Sequence, residues 1–269
     1  MEIVIQQSAK AATRLVSELI AGELRANPHL VLGLATGGTM EAVYGMLVEM
    51  HKKEGLDFSL CRTFNLDEYV GLPPDDPRSY RNYMNHHLFD RVNIDKRNTR
   101  VPDGMAADLD AACREYEEAI AKAGGIDLQL LGIGRDGHIG FNEPLSALRS
   151  RTRATALSQA TIEQNVRYFD NDRSRMPKRA LTMGVGTILD SRRCIMLAVG
   201  KEKAGVIAGA VEGPVTAMIS ASALQMHPQC TVVLDGAAAS GLKETEYYRW
   251  IFQNEPKWGK YHGPAALDS

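Results

Sequence analysis

The feature that most constrains this chain is an alternation of two hydrophobic periodicities. Short apolar runs at residues 2–5, 30–35, 62–65, 126–133, 193–199 and 231–234 read as strands. Between them lie stretches with helical spacing at 8–26, 40–53, 78–90, 105–123 and 201–211. In 8–26 the apolar stripe is Leu15, Val16, Leu19, Ile20 and Leu24, and Asn27-Pro28 stops it. Gly124-Gly125 ends the stretch 105–123. Strand, helix, strand, repeated, predicts an α/β fold: an open, mostly parallel sheet with helices on both faces. No low-complexity linker or repeat divides the chain, so one domain is expected over 1–269. Residues 153–177 are rich in Arg, Thr, Ser, Gln and Asn and read as a lid leaving the sheet. Residues 251–269 carry no recognisable pattern and are expected to form a disordered tail.

Composition removes several classes of function. The 269 residues are 44% hydrophobic with a formal net charge of -2. A balanced charge gives no electrostatic case for nucleic acid or an anionic membrane surface. No apolar run approaches the ~18 residues that span a bilayer. The first residues lack the basic-then-apolar pattern of a signal peptide. Cys61, Cys113, Cys194 and Cys230 are far apart and form no C-x-x-C pair. Neither a zinc knuckle nor a disulfide framework is expected, and a cytoplasmic setting with reduced thiols is.

Open parallel sheets bind ligands where strands end and helices begin. Three polar clusters fall at such places. Thr36-Gly37-Gly38-Thr39 follows a strand and opens a helix. Paired glycines turn backbone N–H groups toward one point, and flanking hydroxyls add donors, which makes a phosphate cradle. A plain tight turn is the alternative, and no G-K-[ST] follows to make it a P-loop. Asp67-Glu68 reads as a loop after the strand through Phe64-Asn65. Its position leaves a catalytic base and a solvated surface pair both open.

The third cluster is Gly132-Ile133-Gly134-Arg135-Asp136-Gly137-His138-Ile139-Gly140-Phe141-Asn142-Glu143-Pro144. It contains the G-x-G-x-x-G spacing of a dinucleotide turn. That fingerprint belongs to the first strand-turn-helix unit, whereas these glycines lie mid-chain and Pro144 is a poor way to continue a helix. The glycines therefore read as loop flexibility, and Asp136, His138 and Glu143 as a converging set. A carboxylate beside an imidazole fixes its tautomer and raises its pKa.

These clusters, with Phe64-Asn65-Leu66-Asp67-Glu68-Tyr69-Val70-Gly71-Leu72-Pro73, Arg167-Tyr168-Phe169-Asp170-Asn171, Ala180-Leu181-Thr182-Met183-Gly184-Val185-Gly186-Thr187 and Leu224-Gln225-Met226-His227-Pro228, closely resemble the glucosamine-6-phosphate deaminase family. Each motif is modest, but the ordered set is specific and covers the chain to about residue 250. The resemblance implies a modified Rossmann-like fold. It implies conversion of glucosamine 6-phosphate and water to fructose 6-phosphate and ammonia, without metal or organic cofactor.

The resemblance also implies roles. Asp67 matches the base that moves the C2 proton. His138, with Asp136 and Glu143, matches the group that opens the sugar ring. Thr36, Gly37, Gly38, Thr39, Arg167 and Lys203 match the substrate-binding set. Ser146 and Arg153 match part of a site for the effector N-acetylglucosamine 6-phosphate between subunits, although Thr155 stands where that site carries lysine. A homo-oligomer is expected, with hexamers and monomers both known among relatives. Three rival readings stand beside it. 6-Phosphogluconolactonases share G-x-G-x-D-G-H but continue differently after the His. Non-catalytic sugar-phosphate sensors usually carry a DNA-binding helix-turn-helix. The nicotinamide enzyme fails on the position of its glycines.

Overall fold

In this computed structural model, which describes residues 1–262, ten strands and eight α-helices alternate along the chain. The strands are β1 Glu2–Gln6, β2 Val31–Leu34, β3 Arg62–Asn65, β4 Asp67–Tyr69, β5 Thr99–Arg100, β6 Leu128–Leu131, β7 Arg153–Ala156, β8 Arg179–Thr182, β9 Arg193–Ala198 and β10 Cys230–Asp235. The helices are α1 Ala9–Ala26, α2 Gly38–Glu54, α3 Tyr80–Met84, α4 Leu109–Lys122, α5 Gln159–Asn165, α6 Val185–Leu189, α7 Ala204–Val211 and α8 Thr245–Asn254.

Seven strands form one parallel sheet in the order β1-β10-β9-β6-β2-β3-β5. Helices cover both faces, so its central strands are buried throughout and read as continuous apolar runs rather than alternating ones. Gln129 is the polar exception in β6. It fits because its register partner in β2 is Gly33, where a Cβ would lie 2.1 Å from the Gln129 Oε1. Helix α1 starts where the Ser8 hydroxyl accepts the Ala11 N–H at 3.1 Å, and it lays Leu15, Val16, Leu19, Ile20 and Leu24 into the core.

Strand order reverses between β2 and β6. From β2 the chain builds outward through β3 and β5, and from β6 through β9 and β10. The helices at such a reversal part to opposite faces and leave a crevice at the carboxyl ends of the strands. The cradle after β2 and the His138 loop after β6 both open into it.

A second, antiparallel sheet, β4-β8-β7, grows from the end of β3. The Leu66 N–H still donates to the Leu34 carbonyl at 2.9 Å before the chain turns into β4. The expected loop at Asp67-Glu68 is thus a strand, and both carboxylates are buried. The expected lid at 153–177 begins as β7, paired to β8, and leaves the sheet only afterwards, as α5 and short 3₁₀ turns. Beneath it Tyr69, Leu72, Phe141, Leu157, Phe169, Met176 and Ala180 form an apolar cluster separate from the main core.

The expectation of a disordered tail is corrected over 251–262. Helix α8 and the turn Pro256–Tyr261 pack onto the main core, with Trp258 buried and its ring 5.5 Å from that of Phe252. Residues 263–269 lie outside the described residues. The helix expected at 105–123 starts later, because the Asp108 side chain caps it by accepting the Ala111 N–H at 2.9 Å. The stretch 78–90 is α3 continued as one π-helical turn, Asn85–Phe89. Among the described residues no helix is long and apolar enough to cross a membrane.

Candidate active site

A cavity of about 350 Å³ occupies the crevice. The loop after β2, Leu66 and Asp67 after β3, and the loop after β6 form its base. Gln164, Asn165 and Arg167 come down from the lid, and Glu202 and Lys203 follow β9. Thr36, Gly37, Gly38, Thr39, Asp67, His138, Arg167 and Lys203 all line this one space.

Gly37 has φ of 108°, a backbone conformation that side chains other than hydrogen disfavour. That turn aims the amino end of α2 into the cavity. The Gly37 carbonyl is held by the Tyr83 hydroxyl at 2.9 Å and the Met40 N–H at 2.9 Å. No side chain caps α2, so its first N–H groups are available to an anion. Cations stand on the other sides. Lys203 Nζ donates to the Ile133 carbonyl at 2.8 Å, and burial pulls its pKa below the usual lysine value. The Arg167 guanidinium lies 4.8 Å over the Tyr168 ring and donates to its hydroxyl at 2.9 Å.

His138 Nδ1 lies 2.6 Å from Asp136 Oδ1 and 3.4 Å from Glu143 Oε2, neither in line for a full hydrogen bond. Burial alone would depress the imidazole pKa. The two carboxylates outweigh it and lift the pKa to about 9. Burial likewise opposes ionisation of Asp136, but the contact with His138 holds its pKa near 2; Glu143 is lowered for the same reason. The Glu143 carboxylate also accepts the Ser158 N–H at 3.1 Å, which ties the start of the lid to the same group. The far edge of the ring faces Gly134, where a Cβ would sit 2.3 Å from Nε2. Only glycine leaves room for the imidazole there. The three side chains present ligand atoms within 4.8 Å of one another, a spacing that a cation can bridge. The protonated imidazole, its pKa lifted to about 9, meets the same demand for positive charge between two carboxylates.

Asp67 faces the cavity from β4. Burial, then the neighbouring Glu68 charge, raise its pKa to about 7, with the His138 charge working the other way. Glu68, its partner in the sequence pair, does something different. Its carboxylate accepts the Tyr69, Tyr80 and Arg81 N–H groups at 2.8, 2.9 and 2.9 Å and so caps α3. This brings Tyr80 to the cavity wall. Sequence reasoning missed Tyr80, Gln164 and Asn165, which sit in no motif of charge or glycine. Phe141, in the His138 loop, also lines the cavity, and its side chain carries no chemistry to mark it in the sequence.

Ser146 and Arg153 are brought together, though not into the cavity. The Arg153 guanidinium donates to Ser146 Oγ at 3.0 Å and to Asn142 Oδ1 at 2.8 Å.

The family profile described as glucosamine-6-phosphate isomerases/6-phosphogluconolactonase matches residues 5–233. A glucosamine-6-phosphate deaminase from Arthrobacter sp. (strain FB24) is 50% identical over 258 residues, 96% of this chain and 99% of that protein. One from Hahella chejuensis is 49% identical over 93% of this chain and 95% of that protein. The solved structure of a monomeric glucosamine-6-phosphate deaminase superposes with a TM-score of 0.87 at 43% identity, covering 90% of this chain and all (100%) of that one. The 6-phosphogluconolactonase from Trypanosoma brucei shares the fold, with a TM-score of 0.69 at 20% identity over 90% of this chain and 98% of its own.

Proposed function

The chain belongs to the glucosamine-6-phosphate deaminase family, and from that premise we propose how the residues of its cavity divide the work. The protein converts glucosamine 6-phosphate and water to fructose 6-phosphate and ammonia. The 6-phosphate takes the amino end of α2 with Thr36 to Thr39, closed by Arg167 and Lys203. The ring opens when a proton reaches the ring oxygen and the anomeric hydroxyl gives one up. His138 serves as that shuttle: Asp136 and Glu143 hold it protonated at neutral pH, and their contacts at Nδ1 leave Nε2 as the working nitrogen.

Asp67 then removes the C2 proton from the open-chain amino aldehyde and returns one to C1. A pKa near 7 keeps both its protonation states populated at neutral pH, as a group that takes and gives one proton requires. The resulting imine at C2 is hydrolysed by water, and ammonia leaves. The observation that carries this reading is the convergence on one cavity of an uncapped helix start, two cations, an imidazole held by two carboxylates and a buried carboxyl of neutral pKa. A coupled assay for ammonia and fructose 6-phosphate released from glucosamine 6-phosphate tests it. Release of neither product sinks it.

Two further assignments belong to the same reading. We place Ser146 and Arg153 in an effector site for N-acetylglucosamine 6-phosphate, supported by their mutual contact and by the Arg153 bond to Asn142, the neighbour of Glu143. Activation by that sugar in a steady-state assay tests the site. A homo-oligomer in the cytoplasm is the setting we infer. Exposed Leu145 and Met218, on segments joined by the Leu145 N–H to Ala217 carbonyl bond of 2.8 Å, support the first. Four free, buried cysteines support the second. Sedimentation analysis tests the assembly.

A further inference from the structure

We propose that the Tyr69 hydroxyl is a positioning group that seats the lid, and with it Arg167, over the cavity. This rests on the proposed phosphate role of Arg167. Tyr69 stands two residues after Asp67 on β4 and is buried, yet it does not line the cavity. Its hydroxyl is the meeting point of two donors. The Asn165 Nδ2, at the end of α5, donates to it at 3.2 Å, and the Tyr80 hydroxyl donates to it at 3.2 Å. Arg167 follows Asn165 by two residues, inside the turn Val166–Phe169.

The ring is as connected as the hydroxyl. Its centroid lies 5.6 Å from Phe141 on the His138 loop, 5.6 Å from Phe169 on the lid and 4.9 Å from Tyr80 on α3. One side chain thus touches the His138 loop, the lid and α3. The ring contacts are non-directional and would tolerate sliding. The bond to Asn165 is directional, so it registers the lid against β4. Tyr69 is buried in an apolar cluster, and Asn165 without this acceptor has less reason to hold its rotamer. A polar group at the centre of an aromatic cluster is otherwise a cost. Phenylalanine would fill the same volume.

Tyr69→Phe keeps the ring and removes the acceptor. KM for glucosamine 6-phosphate should rise about three- to tenfold, the scale of one lost hydrogen bond, with a smaller change in kcat. Affinity for inorganic phosphate, titrated by calorimetry, should fall by the same factor. In an Arg167→Ala background Tyr69→Phe should have little further effect on either quantity, because its action passes through the lid. A purely structural hydroxyl would lower the melting temperature and leave KM and phosphate affinity unmoved. That result, or effects of the two substitutions that multiply, overturns the inference. The phosphate titration does not depend on turnover. An inactive wild type whose phosphate affinity still falls in Tyr69→Phe would refute the deaminase reading and keep this one. An active wild type with no change in Tyr69→Phe would do the reverse.

Discussion

Asp67 and Arg153 are paired to the same residue, Thr182, from opposite sides of β8. The Thr182 hydroxyl also accepts the Phe141 N–H at 3.0 Å, so the His138 loop is fixed to the same row. Thr182→Val keeps the shape and removes the acceptor, leaving a buried N–H unpaired. The expected outcome is a loss of about 1–3 kcal/mol of stability and a lower kcat with a smaller change in KM, with Thr182→Ser recovering both. Chemical denaturation and steady-state kinetics on the pair check this. A Val variant with wild-type kcat would mean that the loop holds its place without β8.

Asp67→Asn should cut kcat by about 10²–10⁴, the usual worth of a positioned proton-transfer group, with KM little altered. The same substitution should stabilise the fold. A carboxyl whose folded pKa is about 7 against an ordinary 3.8 binds its proton more tightly in the native state, so its ionisation works against the fold as pH rises from about 4 to 7. The stability gain of Asn over Asp should therefore be absent near pH 4 and reach about 1–3 kcal/mol above pH 7. Melting temperatures of both proteins across that range decide it.

For His138 the sign is opposite. Its folded pKa of about 9 lies above the ordinary 6.5, so its contribution is complete below pH 6.5 and is lost as pH rises through 9. His138→Gln should be most destabilised relative to the wild type at pH 5–6.5, with the gap closing toward pH 9. The acid partner sets the other end. Asp136, held near 2 against 3.8, stabilises above about pH 4 and loses this as pH falls through 2. His138→Gln should also slow turnover of glucosamine 6-phosphate by about 10²-fold or more, and the alkaline limb of kcat should disappear. An intact limb in a folded variant would assign it to another group.

Lys203→Ala and Arg167→Ala should each raise KM about tenfold or more, since a hydrogen bond to a charged group is worth about 1.5–3 kcal/mol. Uniform binding of phosphate in ground and transition states predicts a smaller effect on kcat. Inhibition by inorganic phosphate should weaken in step with KM in both variants. Inhibition unchanged in either one would remove that residue from the cradle.

The large sheet was legible in the sequence because it is buried on both faces. Leu30–Ala35 has no polar residue to confuse the period, and in Ile126–Ile133 only Asp127 and Gln129 interrupt the apolar run. The small sheet was not. Its strands are three or four residues long, and β7, Arg153–Ala156, is half exposed with no alternation to read. Asp67 and Glu68 looked alike as a charged pair in a loop. Strand geometry sends their side chains to opposite faces, one to the cavity and one to the start of α3. The set Asp136, His138 and Glu143 was legible because a tight loop holds all three within eight residues of chain. Tyr80 and Asn165 come from segments that only tertiary packing brings near, and neither carries a charge to draw attention.

The lid stands on its own small cluster of buried side chains, apart from the one that holds the seven-stranded sheet. Warming should therefore act in two stages. The small cluster buries less apolar surface and opens first, so catalysis should fade, reversibly, below the temperature at which the sheet melts. Both tryptophans, Trp250 and Trp258, lie at the α8 end of the chain, and Trp258 belongs to the main core. Neither belongs to the lid cluster, and the buried Trp258 reports on the main core. Activity that falls several degrees before the fluorescence transition would show the two parts yielding separately; coincident curves would make them one cooperative unit.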